Sequence, residues 1–131
     1  MKIKLPAEWF KQAEYDFKTA EAMLESRRFV YVVFMCHLSI EKALKGIFAK
    51  VYNENPVRTH NLLYLLNKIQ EKTEFKINEE NFEVIKTLNS VSVPTRYPED
   101  LYELFKDFKL KETKKLINQT SKLLKWLKEK L

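Results

Sequence analysis

The sequence predicts an all-α protein, folded as an antiparallel bundle of four to five helices. Three observations lead there. The 131 residues hold one glycine and four prolines, too few for a turn-rich β protein. Apolar residues recur at steps of three and four through most of the chain, and strand-like alternation persists nowhere. The connections between periodic segments are short, which makes successive helices antiparallel neighbours. The length suits a single domain over residues 1–131, large enough to bury a core without staples.

The first helix is expected from about Pro6 to Ser26. Pro6 suits a first helical turn, where its missing N–H costs little. Phe10, Ala13, Phe17, Ala20 and Leu24 share one face, and Arg27 and Arg28 suit the C-terminal end. The second helix runs from about Phe29 to Tyr52. Val33, Cys36, Ile40, Ala43 and Ile47 form its stripe, and Val32, Phe34, Met35, Leu44, Phe48 and Val51 widen it around the helix. Such a helix is central or lies at a subunit interface. Gly46 in its middle costs about 1 kcal/mol relative to Ala, which close approach of another helix would offset.

Asn53 to Arg58 reads as a loop broken by Pro56. Thr59 or Asn61 can cap a third helix carrying Leu62, Leu65, Leu66 and Ile69. Glu71 to Ile77 reads as polar connection, and a fourth helix starts near Asn78 and uses Phe82, Ile85 and Leu88. Pro94 and Pro98 bracket a loop from Val93 to Asp100, because residues before proline are pushed from helical angles. Leu101 to Phe108 reads as a short helical turn. The last helix, about Lys111 to Lys130, places Leu116, Thr120, Leu123 or Leu124, Leu127 and Leu131 on its apolar face.

Charge is unevenly placed. Lys109 to Leu131 carries eight Lys against two Glu, whereas the rest of the chain carries 16 basic and 16 acidic residues. The whole surplus of +6 therefore sits on the last segment. It is either a solvated face or an attraction for an anionic partner. The single cysteine, Cys36, excludes an intrachain disulfide and a thiolate metal site, and its apolar setting reads as core. Met1 to Pro6 is short and polar, unlike a signal peptide. The longest apolar stretch, Phe29 to Cys36, falls well short of the roughly 20 residues of a membrane span. The expected location is cytoplasmic, with no membrane association.

Four pieces of sequence stand in a specific order. Trp9, Ala13, Asp16 and Ala20 mark the first helix. His37-Leu38-Ser39-Ile40-Glu41-Lys42-Ala43-Leu44-Lys45 lies in the second. Thr59-His60-Asn61-Leu62 and Thr95-Arg96-Tyr97-Pro98 follow, and Trp126 closes the set. Together they resemble the HEPN family of small helical domains. The resemblance implies an antiparallel up-and-down bundle that often forms a homodimer. It also implies association with a nucleotide or RNA, and a small nucleotidyltransferase protein as partner, in some cases as a toxin–antitoxin pair.

Ribonucleases of that family use an Arg followed, after four to six residues, by a His. Arg would stabilise charge on the phosphate while His moves the proton of the attacking hydroxyl. The four arginines here are Arg27, Arg28, Arg58 and Arg96, and the two histidines are His37 and His60. No pair has that spacing, so no catalytic residue is assigned. No glycine-rich phosphate loop or zinc-binding cluster occurs, and no cofactor or metal is expected.

The nucleotide-binding candidates are Lys42, Lys45, His60, Arg96 and Tyr97. Lys45 either pairs with Glu41 one turn away or stands, with Lys42, at the rim of an anion-binding cleft. His60 either packs at a helix start or meets a phosphate there, with its ring or with free backbone N–H groups. Arg96 offers a planar fork for phosphate and Tyr97 a face for a base; alternatively Arg96 pairs with Glu99 or Asp100 and Tyr97 plugs the bundle. Glu41 and His37 form a hydrogen-bonded pair or share a metal or proton. Phe29, Tyr31, Val32 and Met35 make either core or a dimer patch. The expected function is a nucleotide- or RNA-associated binding module working with a nucleotidyltransferase. The alternatives are a metal-independent ribonuclease with a rearranged site and a purely structural interaction domain.

Overall fold

The computed structural model describes residues 4–91 and 98–131. Among them are six helices: α1 (Pro6–Glu25), α2 (Phe29–Tyr52), α3 (Leu62–Lys72), α4 (Glu79–Val91), α5 (Pro98–Asp107) and α6 (Leu110–Lys128). No strand occurs among the described residues. The all-α class agrees with expectation, and the helix number exceeds the four to five expected. The reason lies at Pro98, which starts a helix rather than closing a loop. It occupies the first position of α5, with Glu99 and Asp100 in the first turn. There a proline lacks only an N–H that would be unpaired anyway, and acidic side chains complement the helix dipole. Leu101 to Asp107 of the expected turn thus belong to a ten-residue helix, and Phe108 lies just past its end.

Helix α2 is the axis of the bundle. Fifteen of its 24 residues are buried, as its all-round apolar pattern required, and it packs against each of the other five helices. Phe10, Ala13 and Ala20 of α1, Leu62, Leu65, Leu66 and Ile69 of α3, and Leu116, Leu123 and Leu127 of α6 complete the core around it. Cys36 lies fully buried there, and burial pushes its thiol up to about 12, with the Thr120 hydroxyl pulling weakly the other way. It behaves as an inert apolar side chain. No helix among the described residues is long and apolar enough to cross a membrane.

The α1–α2 seam explains Gly46. A Cβ at this position would lie 3.1 Å from the Pro6 carbonyl oxygen, 3.2 Å from Trp9 Cβ and 3.4 Å from the Phe10 ring. The missing side chain lets the backbone of α1 sit directly on α2. Two polar ties fix the same seam: Ser39 Oγ donates to the Ala13 carbonyl at 2.8 Å, and Lys42 Nζ reaches Asp16 Oδ2 at 3.3 Å.

The helix ends follow their sequences. Past Ser26, Arg27 adopts φ 60°. Arg28 N donates to the Met23 carbonyl and Arg27 N to the Leu24 carbonyl, the paired bonds of a Schellman stop. Asn53, also left-handed at φ 53°, ends α2. Of the two expected caps for α3, Asn61 is the one, accepting from Tyr64 N at 3.0 Å, while Thr59 accepts from Asn61 N. Asn78 caps α4 by accepting from Asn81 N at 2.8 Å. The stretch from Glu71 to Ile77 is less polar in its role than its composition implies. Lys72 still belongs to α3, and Phe75 and Ile77 pack on the core, with Phe75 edge-on to Trp126 at 5.5 Å.

Gly46→Ala should destabilise the fold by about 1–2 kcal/mol, because crowding against α1 outweighs the better helix propensity of alanine. Urea unfolding measures it. A gain in stability would mean that α1 does not approach α2 this closely.

Candidate functional site

One carboxylate organises the polar interior. Glu41, midway along α2, is only 2% exposed. Its Oε2 pairs with Lys45 Nζ at 3.1 Å, one turn along the same helix. Its Oε1 accepts from His60 Nδ1 at 2.7 Å and lies 3.4 Å from His37 Nε2. His37 in turn donates from Nδ1 to the Leu88 carbonyl of α4 at 3.0 Å. Glu41 therefore joins α2 to the loop before α3, and through His37 to α4. The Glu41–Lys45 pair agrees with the ion-pair reading of the sequence. The expected His37–Glu41 hydrogen bond is not made: the two stand 3.4 Å apart, His37 Nε2 has no hydrogen-bond partner among the described residues, and the hydrogen bonds of Glu41 go to His60 and Lys45.

Burial by itself would raise the Glu41 carboxyl. The nearby His37 ring, the hydrogen bond from His60, and the charge and hydrogen bond of Lys45 outweigh that cost and hold it at about 2, below its ordinary 4.5. Glu41 is thus a permanent anion ringed by nitrogen donors.

A second layer surrounds this pair. Lys45 Nζ stands 5.8 Å from the centre of the Trp9 ring, and Lys4 Nζ stands over the same ring at 4.4 Å. Two cations therefore share one indole. Trp9 Nε1 is shielded from solvent and has no partner among the described residues. The Lys4 backbone N–H donates to Asn55 Oδ1 at 3.0 Å, which ties the N-terminal segment to the loop carrying His60. The start of α1, the middle of α2 and the loop before α3 so converge on Trp9 and Glu41.

Two of the candidates read from the sequence, Lys45 and His60, meet at Glu41. The Lys45 ammonium is buried, whereas the His60 side chain is 67% exposed and its Nε2 makes no bond among the described residues. Lys42 lies on the neighbouring strip of α2 and is engaged with Asp16. Arg96 and Tyr97 lie outside the described residues. Two of the N–H groups at the start of α3 are taken, Leu62 N by Asn89 Oδ1 and Tyr64 N by Asn61 Oδ1. Trp9 and Lys4 are not among the sequence candidates. Trp9 enters the sequence reading only as a mark of the family resemblance and nothing local marks Lys4; their roles here come from contacts with Lys45 and Asn55, at least 36 positions away. No group of His, Cys, Asp and Glu that could hold a metal occurs among the described residues.

The same order of helices is found in known proteins. The family model for the HEPN domain matches residues 6–131. The fold is similar to that of TT1696 from Thermus thermophilus, at 23% identity and a TM-score of 0.80, covering 96% of this chain and 98% of that one. It is also similar to ST0689, described as an archaeal HEPN homologue, at 22% identity and a TM-score of 0.74, covering 97% and 98%. No curated protein matches the chain.

Because the folded value of Glu41 is depressed, its contribution to stability is complete above pH 4.5 and is lost as pH falls toward about 2. That contribution is on the order of 3 kcal/mol. Glu41→Gln should be less stable than the parent by about that much at pH 7 and should lose less stability between pH 4.5 and about 2. Urea midpoints across this window measure both. Identical pH dependence in the two proteins would contradict the role given to Glu41.

Proposed function

Because the chain belongs to the HEPN domain family, we propose that it is a nucleotide- or RNA-associated binding module acting with a small nucleotidyltransferase subunit. In this reading it is a homodimer in the cytoplasm, and the pair forms a module of the toxin–antitoxin kind. One observation carries the nucleotide part: two lysines, Lys4 and Lys45, share the Trp9 ring, and His60, held by Glu41, keeps its second ring nitrogen free beside them. Cations and an imidazole beside an aromatic face suit a phosphate with a base attached. Lys42, Arg96 and Tyr97 are proposed as further contacts of the ligand. Tyr31, 54% exposed next to the fully buried Val32, supports a contact patch at the start of α2 for the second protomer.

A second reading has its own observation. Glu41 Oε1 accepts the hydrogen bond of His60 Nδ1–H, which leaves the exposed Nε2 able to accept a proton. A carboxylate that orients an imidazole in this way is suited to a general base. It favours a metal-independent ribonuclease with a rearranged site, in which His60 takes the 2′-hydroxyl proton and a lysine replaces the missing arginine. A purely structural role is the reading for a protein that responds to neither ligand.

Thermal unfolding against ATP, GTP, their monophosphates and short RNA separates these readings. Ligand at about 100 times its dissociation constant adds about 2.7 kcal/mol, a shift of several degrees. The shift should shrink in Lys4→Ala, Lys42→Ala and Arg96→Ala, each expected to remain folded. A flat panel would overturn the binding reading. Incubation with RNA tests the second: cleavage abolished by His60→Ala supports it, and intact RNA disposes of it.

A further inference from the structure

The exposed face of α6 carries a row of lysines that form no ion pair among the described residues, although Lys125 shares a groove with Glu14 and Glu21 of α1. At about 100° per residue, Lys111, Lys114, Lys115, Lys122 and Lys125 fall within an arc of about 100°. That arc lies opposite the buried stripe of Thr113, Leu116, Ile117, Thr120, Leu123, Leu124 and Leu127. All five lysines are exposed, and none joins an ion pair among the described residues. Seven other lysines have carboxylate partners: Lys42, Lys45, Lys68, Lys76, Lys86, Lys106 and Lys128. Between Lys111 and Lys125 the only acid is Glu112, which lies to one side of the row. The row extends over about 21 Å at 1.5 Å per residue. Holding five like charges along one helix is unfavourable in the free protein.

The composition of the row selects its partner. The large exposed hydrophobic residues are Leu5, Tyr15, Tyr31, Val57, Tyr102 and Phe105, and none lies on α6. A membrane surface would call for an apolar face to insert, and a protein partner for an aromatic or arginine anchor. The row has neither. It offers point charges at steps of about 5–10 Å, which match successive phosphates of an extended backbone.

We infer that the α6 lysine row is a sequence-independent docking surface for a nucleic-acid backbone, separate from the Glu41 site. It does not rest on nucleotide binding at that site, and either surface can fail its test without the other.

Binding of labelled single-stranded RNA, duplex RNA and DNA of equal length, followed by anisotropy at about 50–200 mM salt, tests it. Five phosphate contacts give a slope of log affinity against log salt near about −4.5 for a duplex and about −3.5 for a single strand. Lys122→Gln/Lys125→Gln should weaken binding and reduce the duplex slope by about 2. Both side chains are exposed, so the double variant should unfold like the parent. Lys86→Gln/Lys106→Gln removes the same charge from α4 and α5 and should leave affinity and slope unchanged. RNA and DNA should bind alike, since lysines contact only phosphate. Absence of binding at low salt, equal weakening in the two double variants, or a preference for one nucleic acid that survives Lys122→Gln/Lys125→Gln would each overturn the proposal.

Discussion

A buried carboxylate is expensive to hold in a small helical bundle, and here the cost is met at one atom pair. Removing an anion from water costs several kcal/mol, so Glu41 is tolerable only with its neighbours in place. Lys45 and His37 flank it one turn away on the same helix, and His60 reaches it from the loop before α3. The other nitrogen of His37 holds the Leu88 carbonyl of α4. Three parts of the chain are thereby set in one arrangement by a single charge. Gly46, farther along α2, lets α1 close on the same region and brings Trp9 with it.

This arrangement places chemistry where packing alone would not require it. A core built only for stability would do as well with an apolar residue at position 41 and no surrounding donors. Instead the interior keeps an ionised group, and the loop histidine it anchors presents its free nitrogen to solvent. Lys4 and Lys45 on the Trp9 ring extend the donors outward from the carboxylate. The α6 lysine row differs in kind. It has no buried anchor and no preorganised neighbour, so it suits weak attraction along a backbone rather than recognition of one small ligand.

The helices are legible in the sequence because periodicity is a local property. The all-round apolar pattern of α2 announces its central place, and its one glycine announces a close neighbour. The pair Glu41–Lys45 is also legible, being one turn apart. The bond between Glu41 and His60 is not, although both residues lie in pieces that resemble the HEPN family. They are 19 positions apart, and nothing in either segment specifies how the intervening loop returns. The Trp9 platform is hidden for the same reason. The start of α5 escapes a reading by pattern, although its body reads as a helical turn, because proline can start a helix as well as stop one. The acidic residues that decide between them, Glu99 and Asp100, suit an ion pair with Arg96 equally well on paper. Phe75 and Ile77 disappear into a polar stretch because isolated apolar residues make no pattern.

The central proposal is that the donors gathered around Glu41 and Trp9 form a site for an anionic nucleotide. Titration with a nucleoside monophosphate, followed by NMR at the His60 ring and the Trp9 indole N–H, tests this most directly. Both signals should move along one saturating curve, with a common dissociation constant, while signals from the α6 lysines stay in place. Saturable binding that leaves His60 and Trp9 unmoved would contradict it.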